Sequence, residues 1–217
     1  MDYNELIKSG VTMVLPHCFE TIINHKQTIS KLKGDIIECG VWRGGFSIFL
    51  ADTFKKKTIW VSDSFMGFQP LETANFAYTS ERHNPSYDIA VSLDEVKSNF
   101  EKFGIDLNRI NFLKGFVKDT LPNCGIENIS LLRIDVDAYS ATLEVLNELY
   151  DKVVPGGFII FDDACLYETV DAIKTFFKQR NISPYLMHPV TNDQLPLDLD
   201  SPSSDSVYPT GCYIIKK

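Results

Sequence analysis

The pattern of apolar and polar positions along the chain alternates between short apolar runs and longer amphipathic segments. Each apolar run is short enough to be a buried strand. The runs lie at residues 36–40, 58–62, 110–114, 131–134 and 158–161. Apolar residues three and four positions apart predict helices between them, at residues 46–54, 92–103, 141–153 and 170–177. Strands that alternate with helices predict an α/β fold, a doubly wound and mostly parallel sheet with helices on both faces.

The two ends of the chain extend this pattern. Apolar residues at helical spacing run from residue 6 to residue 32 and predict an amphipathic N-terminal helical cover, residues 1–33, in which Pro16 is tolerable near a helix start. Near the end, residues 185–187 and 212–215 are candidate last strands. At 217 residues the chain is long enough to bury one sizeable core, so we expect a single domain over residues 1–217.

Two stretches have no sustained hydrophobic period. Residues 64–91 contain glycine, proline, histidine and several aromatic residues. This segment is longer than a loop that only connects two elements of a compact domain. We expect it to form a lid or a binding loop. Residues 189–209 are rich in proline, aspartate and serine, a composition that resists regular structure. We expect this second stretch to be a flexible insertion.

Composition narrows the choice of partners. The formal net charge of −8 opposes binding to the phosphate backbone of nucleic acid and to anionic membranes. No apolar run approaches the roughly 20 residues that cross a bilayer, and the first residues carry acid where a signal peptide carries Lys or Arg. The five cysteines form no C-x-x-C pair, so neither a disulfide framework nor a zinc site is expected. We expect a cytoplasmic protein with reduced thiols.

The first predicted strand leads into a glycine-rich turn. Glu38 lies at the end of this strand, and Gly40, Gly44 and Gly45 precede the following helix, where free N–H groups and a close backbone approach favour a bound ligand. Asp63 ends the next strand about 20 residues beyond the turn, where nucleotide-binding sheets hold ribose hydroxyls. Glu38 and Asp63 are therefore a candidate pair around an adenosine-type ligand. The alternative is that Glu38 caps the turn and Asp63 is solvated.

Ligands of doubly wound sheets bind at the carboxyl ends of the strands. The residues at the predicted ends are Glu38, Asp63, Gly115, Asp135 and Asp162. Phe116 follows the third of these strands, where its ring either faces an adenine or packs into the core. The sequence leaves both interpretations of Phe116 open.

Four aspartates follow two neighbouring predicted strands. Asp135 and Asp137 come after the fourth strand, and Asp162 and Asp163 come after the fifth. A right-handed crossover places the carboxyl ends of two parallel neighbours side by side. Crowded carboxylates are costly unless a cation or a proton transfer offsets their repulsion, so a hard, oxygen-liganded ion such as Mg²⁺ is expected. The alternative is that the aspartates cap the helices that follow them.

Five stretches, taken in order, resemble one family of enzymes. They are residues 34–45 (GDIIECGVWRGG), 63–67 (DSFMG), 115–122 (GFVKDTLP), 132–139 (LRIDVDAY) and 155–163 (PGGFIIFDD). They look like the TylF (macrocin) family of S-adenosylmethionine-dependent O-methyltransferases. The resemblance implies the class I methyltransferase fold, with seven strands of which the last is antiparallel. It also implies methylation of sugar hydroxyls with Mg²⁺.

The resemblance implies roles for individual residues. Asp135, Asp162 and Asp163 would be metal ligands, with Asp137 as the general base. The residues implied at the cofactor are Met13, Glu38, Gly40, Asp63 and Ser64, beside Asp135 at its strand end. Val136 stands where family members usually have a glycine, which alters the backbone near the site. The implied acceptor is a hydroxyl group of a small molecule or of a glycan.

Two other functions use a similar sheet. An NAD-dependent oxidoreductase is disfavoured because residues 40–45 lack the second glycine of G-x-G-x-x-G, and hydride transfer needs no cluster of metal-binding aspartates. A non-catalytic cofactor-binding module is disfavoured by the presence of Asp137 and of the metal-binding aspartates. A homodimer is a further expectation, because an N-terminal helical cover and a lid often supply dimer contacts.

Overall fold

The structure, a computed structural model, describes residues 1–68, 89–203 and 208–217. Eight β-strands and seven α-helices follow one another in these residues. The strands are β1 (Asp35–Cys39), β2 (Ile59–Asp63), β3 (Ile110–Lys114), β4 (Ile129–Ile134), β5 (Val153–Phe161), β6 (Tyr185–Met187), β7 (Gln194–Pro196) and β8 (Cys212–Ile215). The helices are α1 (Tyr3–Lys8), α2 (Pro16–Lys31), α3 (Gly45–Thr53), α4 (Leu93–Lys102), α5 (Val117–Thr120), α6 (Tyr139–Leu149) and α7 (Tyr167–Gln179). None of these described helices combines the length and the apolar character that a membrane crossing requires.

The eight strands form one sheet in the order β3-β2-β1-β4-β5-β8-β6-β7. The strands from β3 to β5 are parallel, whereas β8 runs antiparallel to β5, and β6 and β7 form an antiparallel hairpin at the edge. The predicted doubly wound α/β sheet with an antiparallel last strand is confirmed, and β7 adds an eighth strand to the seven expected. The strand order reverses between β1 and β4, so a ligand crevice lies at the carboxyl ends of these two strands.

The helices pack on both faces of the sheet, and the alternation of side chains along each strand supplies two cores. Ile36 of β1 and Leu131 of β4 are buried on one face together with residues of α1, α2, α3 and α4. Ile37 and Leu132, the next residues of the same strands, are buried on the other face with residues of α5, α6 and α7. A central strand that is buried on both faces has apolar residues at consecutive positions. This is why short continuous apolar runs in the sequence predicted these strands.

The N-terminal cover consists of two helices, α1 and α2, with a non-helical connection inside the stretch of helical spacing. The second helix, α2, begins at Pro16, and Leu15 before it is extended. A proline favours the first turn of a helix and disfavours the helical conformation in the residue before it, so the helical spacing continued across a true boundary. The connection between the helices contacts α3, since the Val11 carbonyl accepts a hydrogen bond of 3.0 Å from Gly45 N–H at the start of that helix.

The segment expected to be a flexible insertion, residues 189–209, contains regular structure in its described part. It supplies β7, the outer strand of the edge hairpin. Leu197 is buried, Leu195 packs against the same core, and Lys174 of α7 donates hydrogen bonds to Ser201. Composition failed to predict this strand because the leucines find their apolar partners only after the chain has folded.

The ends of β1 and β4 approach each other so closely that only glycine fits. A Cβ on Gly40, whose φ angle is +82°, would lie 1.7 Å from the carbonyl oxygen of Asp135. Gly104 has a similar φ angle of +71°, but a Cβ there would meet nothing within 4 Å. Replacing Gly104 would therefore add backbone strain alone, whereas replacing Gly40 would add both backbone strain and a steric clash.

We expect Gly104→Ala to lower the free energy of unfolding by about 1–2 kcal/mol, which is the cost of a left-handed backbone alone. Gly40→Ala should lower it by about 3 kcal/mol or more, because the two strand ends must also move apart. Urea unfolding followed by circular dichroism measures both values. Equal losses in the two variants would contradict the close approach.

Candidate active site

A cleft opens at the carboxyl ends of β1, β2 and β4, where the order of the strands reverses. Seven of the residues predicted for the site line this cleft. They are Met13, Gly40, Asp63, Ser64, Phe116, Asp135 and Asp137. Val41, Trp42, Phe68 and Ile89 line it as well. The greater part of the predicted lid, residues 64–91, lies outside the described residues.

The Asp63 carboxylate holds the loop that follows β1. Its Oδ2 accepts hydrogen bonds from the N–H groups of Val41 (2.8 Å) and Trp42 (3.3 Å), and its Oδ1 accepts one from Phe65 N–H (2.7 Å). Trp42 and Phe65 have positive φ angles of 49° and 55°, which are uncommon for large side chains and need support from their surroundings. Asp63 provides this support, so it shapes the cleft wall and is more than a solvated strand end.

The other glycines of the predicted turn serve packing. A Cβ on Gly44 would lie 2.9 Å from a methyl carbon of Val96 in α4, and a Cβ on Gly45 would lie 2.6 Å from the Val11 carbonyl oxygen. These two glycines allow α3 to pack closely against its neighbours. Neither they nor Gly115 belong to the described lining of the cleft.

Glu38 lies beneath the cleft wall. Its side chain is 1% exposed, and its carboxylate accepts hydrogen bonds from Ser47 Oγ of α3 and from Arg133 Nη1 of β4. Burial raises the pKa of Glu38, while the charge of Arg133 opposes that rise. Glu38 is outside the described lining of the cleft, so its contact with a cofactor stays a prediction.

Three carboxylates converge beyond the ends of β4 and β5. Asp135, Asp137 and Asp163 each offer one oxygen, and these oxygens lie within 4.8 Å of one another. Asp163 Oδ2 is buried and has no hydrogen-bond donor among the described residues. Burial raises the pKa of Asp135 and Asp163 well above the ordinary value, and neighbouring carboxylates add to this rise, although Arg133 lowers the pKa of Asp135. Three hard oxygen donors with an uncompensated buried oxygen fit a divalent cation such as Mg²⁺.

Asp162 lies outside this cluster. It is 8% exposed, and its Oδ1 is 2.5 Å from Arg133 Nη2, an ion pair without the alignment of a hydrogen bond. Asp162 is therefore paired with Arg133, whereas Asp163, the next residue in the turn after β5, belongs to the cluster. The cluster therefore contains Asp137 where the predicted ligand set had Asp162. The ligand role of Asp162 stays a prediction that this placement does not favour.

The aspartates after β4 and β5 do not cap the helices that follow them, which was the alternative to a metal site. The residues before α6 and α7 are Ala138 and Leu166, and neither helix has a side-chain cap. Asp137 instead has a left-handed backbone with a φ angle of +57°. Aspartate tolerates this conformation better than most residues, and such strain concentrates at functional sites.

Sequence reasoning missed Arg133, the buried partner of Glu38, Asp135 and Asp162. A signal for it was present, because an arginine inside the apolar run of residues 131–134 needs a buried negative partner. The carboxylates at the neighbouring strand ends were the available candidates.

A family model described as macrocin-O-methyltransferase (TylF) matches residues 8–192. The chain belongs to this family. Membership confirms the resemblance seen in the motifs and the predicted enzyme class, an O-methyltransferase. The NAD-dependent oxidoreductase is therefore set aside.

Two relatives of this TylF-family chain have assigned activities. The mycinamicin III 3''-O-methyltransferase of Micromonospora griseorubida is 35% identical over 178 residues, which cover 78% of this chain and 68% of the relative. The 8-demethyl-8-(2,3-dimethoxy-alpha-L-rhamnosyl)-tetracenomycin-C 4'-O-methyltransferase of Streptomyces olivaceus is 34% identical over 176 residues, covering 78% and 66%. The TylF-family chain thus spans about two thirds of the length of these relatives.

Solved structures show the same fold. The O-methyltransferase NovP has a TM-score of 0.69 and 28% sequence identity, with 92% of this chain and 76% of NovP covered. The calicheamicin methyltransferase CalS11 has a TM-score of 0.66 and 17% identity, with 91% and 77% covered. The TylF-family chain therefore has the class I methyltransferase fold that the motifs implied.

The raised pKa values of Asp135 and Asp163 predict a pH-dependent response to cations. Without a cation, the folded cluster keeps protons that the unfolded chain releases near pH 4, so it loses stability as the pH rises. A cation replaces those protons. We expect MgCl₂ to raise the thermal midpoint more at about pH 8 than at about pH 5.

Differential scanning fluorimetry measures this response. Asp163→Asn should abolish the pH-dependent gain, whereas Asp119→Asn, which changes an exposed carboxylate of α5, should retain it. A gain from MgCl₂ that is the same at both pH values would contradict cation binding at the cluster.

Proposed function

We propose that this chain transfers the methyl group of S-adenosylmethionine to a hydroxyl group of a sugar, with a divalent cation held by the aspartate cluster. The observation that carries the proposal is that Asp135 and Asp137 belong both to the cluster and to the cleft lining. A cofactor in the cleft would therefore lie beside a cation at the cluster. This arrangement fits an O-methyltransferase in which one site activates the acceptor and the other supplies the methyl group.

The cofactor side of the cleft has groups suited to an adenosine. The Asp63 carboxylate is held rigidly at the end of β2, where it can accept hydrogen bonds from ribose hydroxyls. Phe116 and Ser64 also line the cleft. We propose that the aromatic ring of Phe116 faces the adenine. Met13 is 57% exposed at the cleft, which places it at the open side. The acidic surroundings favour the positively charged sulfonium.

The acceptor side is the aspartate cluster. Asp135, Asp137 and Asp163 would hold the cation, which would lower the pKa of a bound hydroxyl and fix its direction. Asp137 is the proposed general base: it accepts the hydroxyl proton as the oxygen takes the methyl group and the sulfonium becomes a neutral thioether. Positioning and electrostatics supply the rest of the acceleration, because methyl transfer needs no covalent enzyme intermediate.

The names of the relatives support a sugar as the acceptor. Both the mycinamicin and the tetracenomycin enzymes are named as O-methyltransferases, and the name of the second contains a rhamnosyl group. We infer a hydroxyl of a glycosylated small molecule, with a glycan as the alternative acceptor. Nucleic acid is a poor candidate because the net charge is −8. The expected homodimer stays a prediction.

We expect S-adenosylmethionine to bind with and without a chelator, whereas turnover needs Mg²⁺, because in the proposed arrangement the cation would bind the acceptor and the cofactor would bind beside Asp63 and Phe116. Isothermal titration with and without EDTA measures binding. Release of S-adenosylhomocysteine in a screen of glycosides measures turnover. Absence of detectable cofactor binding would overturn the methyltransferase assignment for this chain.

Asp137→Asn should fold and bind S-adenosylmethionine, but its turnover should fall by about 10²–10⁴-fold, because the amide cannot accept the proton. Single-turnover assays at saturating Mg²⁺ measure this loss. Asp119→Asn is the matched control and should keep full turnover, since its carboxylate is exposed on α5. Full turnover in Asp137→Asn would show that this residue is not the base.

A further inference from the structure

Arg133 is a charged residue inside a buried strand, and its side chain is 0% exposed. A guanidinium removed from water must be paired, since an isolated buried charge is too costly. Nη1 of Arg133 lies 2.5 Å from Glu38 Oε1 and 2.6 Å from Asp135 Oδ2. Nη2 lies 2.5 Å from Asp162 Oδ1. One guanidinium therefore joins carboxylates from three neighbouring strands.

The register of the sheet explains this meeting. Glu38 of β1 lies directly opposite Arg133 of β4, and Asp135 follows Arg133 by two positions, which turns it to the same face. On the other side of β4, Ile160 of β5 lies opposite Arg133, and Asp162 follows Ile160 by two positions. All four charged groups thus lie on the face covered by α1 to α4.

The guanidinium also rests on an aromatic ring. Its central carbon lies 4.3 Å from the ring centroid of Phe46, in the first turn of α3. Arginine suits this position because its planar fork can stack on a ring and bind several carboxylates at once, which a lysine ammonium cannot do. The ring and the carboxylates together fix the orientation of the guanidinium.

Asp135 belongs to two groups of side chains. Its Oδ2 is paired with Arg133, and it also offers an oxygen to the cluster with Asp137 and Asp163. Groups that form hydrogen bonds with a metal-binding carboxylate fix the orientation of that carboxylate and change its affinity for the metal. We propose, on the basis of the cation in the proposed function, that Arg133 is a positioning residue that holds Asp135 in the orientation that binds the cation.

The same guanidinium divides the acidic residues of this sheet edge. Glu38 and Asp162 pair with it, whereas Asp137 and Asp163 join Asp135 in the cluster. Without Arg133, Glu38, Asp135 and Asp162 would lose their shared cationic partner. Its pairing with Glu38 and Asp162 leaves Asp135, Asp137 and Asp163 as the carboxylates that would hold the cation.

Arg133→Lys keeps the charge but loses the planar fork. We expect the full-length variant to bind Mn²⁺ about tenfold more weakly than the wild type, as measured by electron paramagnetic resonance of the free ion. The KM for Mg²⁺ should rise while kcat at saturating Mg²⁺ is largely retained. Arg109→Lys is the matched control, because Arg109 donates to the backbone carbonyls of Ala51 and Lys57, away from the cleft. It should bind Mn²⁺ as the wild type does.

A second pair of variants keeps the test decisive if Arg133→Lys does not fold. Phe46 and Phe49 are both buried on α3, and both contact Phe19, but the described ring contacts place only Phe46 against Arg133. Phe46→Leu should weaken Mn²⁺ binding about threefold by removing the ring below the guanidinium. Phe49→Leu should lose similar stability and leave Mn²⁺ binding unchanged.

Wild-type Mn²⁺ affinity in Phe46→Leu, together with wild-type affinity or failure to fold in Arg133→Lys, would overturn the positioning role. Equal weakening in Phe46→Leu and Phe49→Leu would also overturn it, since the effect would then be general loss of packing. Failure of the wild-type protein to bind Mn²⁺ is a different result, because it would overturn the cation in the proposed function.

Discussion

The structure depends on gathering negative charge at one edge of a sheet without driving the strands apart. Glu38, Asp135 and Asp162 come from three strands and meet at one buried guanidinium, that of Arg133. Burying these charges is costly, and the cost is offset by short charge-assisted hydrogen bonds to Glu38 and Asp135 and by the ion pair with Asp162. This internal pairing allows β1, β4 and β5 to end together. The remaining carboxylates beyond it are then available for chemistry.

Backbone contacts shape the other half of the cleft. The Asp63 carboxylate accepts hydrogen bonds from N–H groups of the loop after β1. Gly40, which has no side chain, allows the start of that loop to lie close to the Asp135 carbonyl. The chain between the first two helices is hydrogen-bonded to Gly45 at the start of α3. Contacts within the chain therefore fix this wall of the cleft, and a wall held in this way lowers the cost of binding through preorganisation.

The fold alone does not explain the activity, because doubly wound sheets serve many reactions. NovP and CalS11 share the fold, and NovP also shares 28% of the aligned sequence. The chemistry depends on the side chains at the strand ends, where Asp135 and Asp137 belong both to the cleft lining and to the aspartate cluster. The proposed reaction follows from that shared position, and the acceptor side of the cleft is where specificity would be set.

Local patterns in the sequence determined the strands, the helices, the order of the acidic strand ends and the family, because apolar periodicity and short motifs depend on neighbouring residues. Tertiary structure alone decided the burial of Glu38 and the separation of Asp162 from Asp163. These outcomes depend on partners distant in sequence. Sheet register and the alternation of side chains along the strands select those partners. Neither can be deduced from the short sequence motifs.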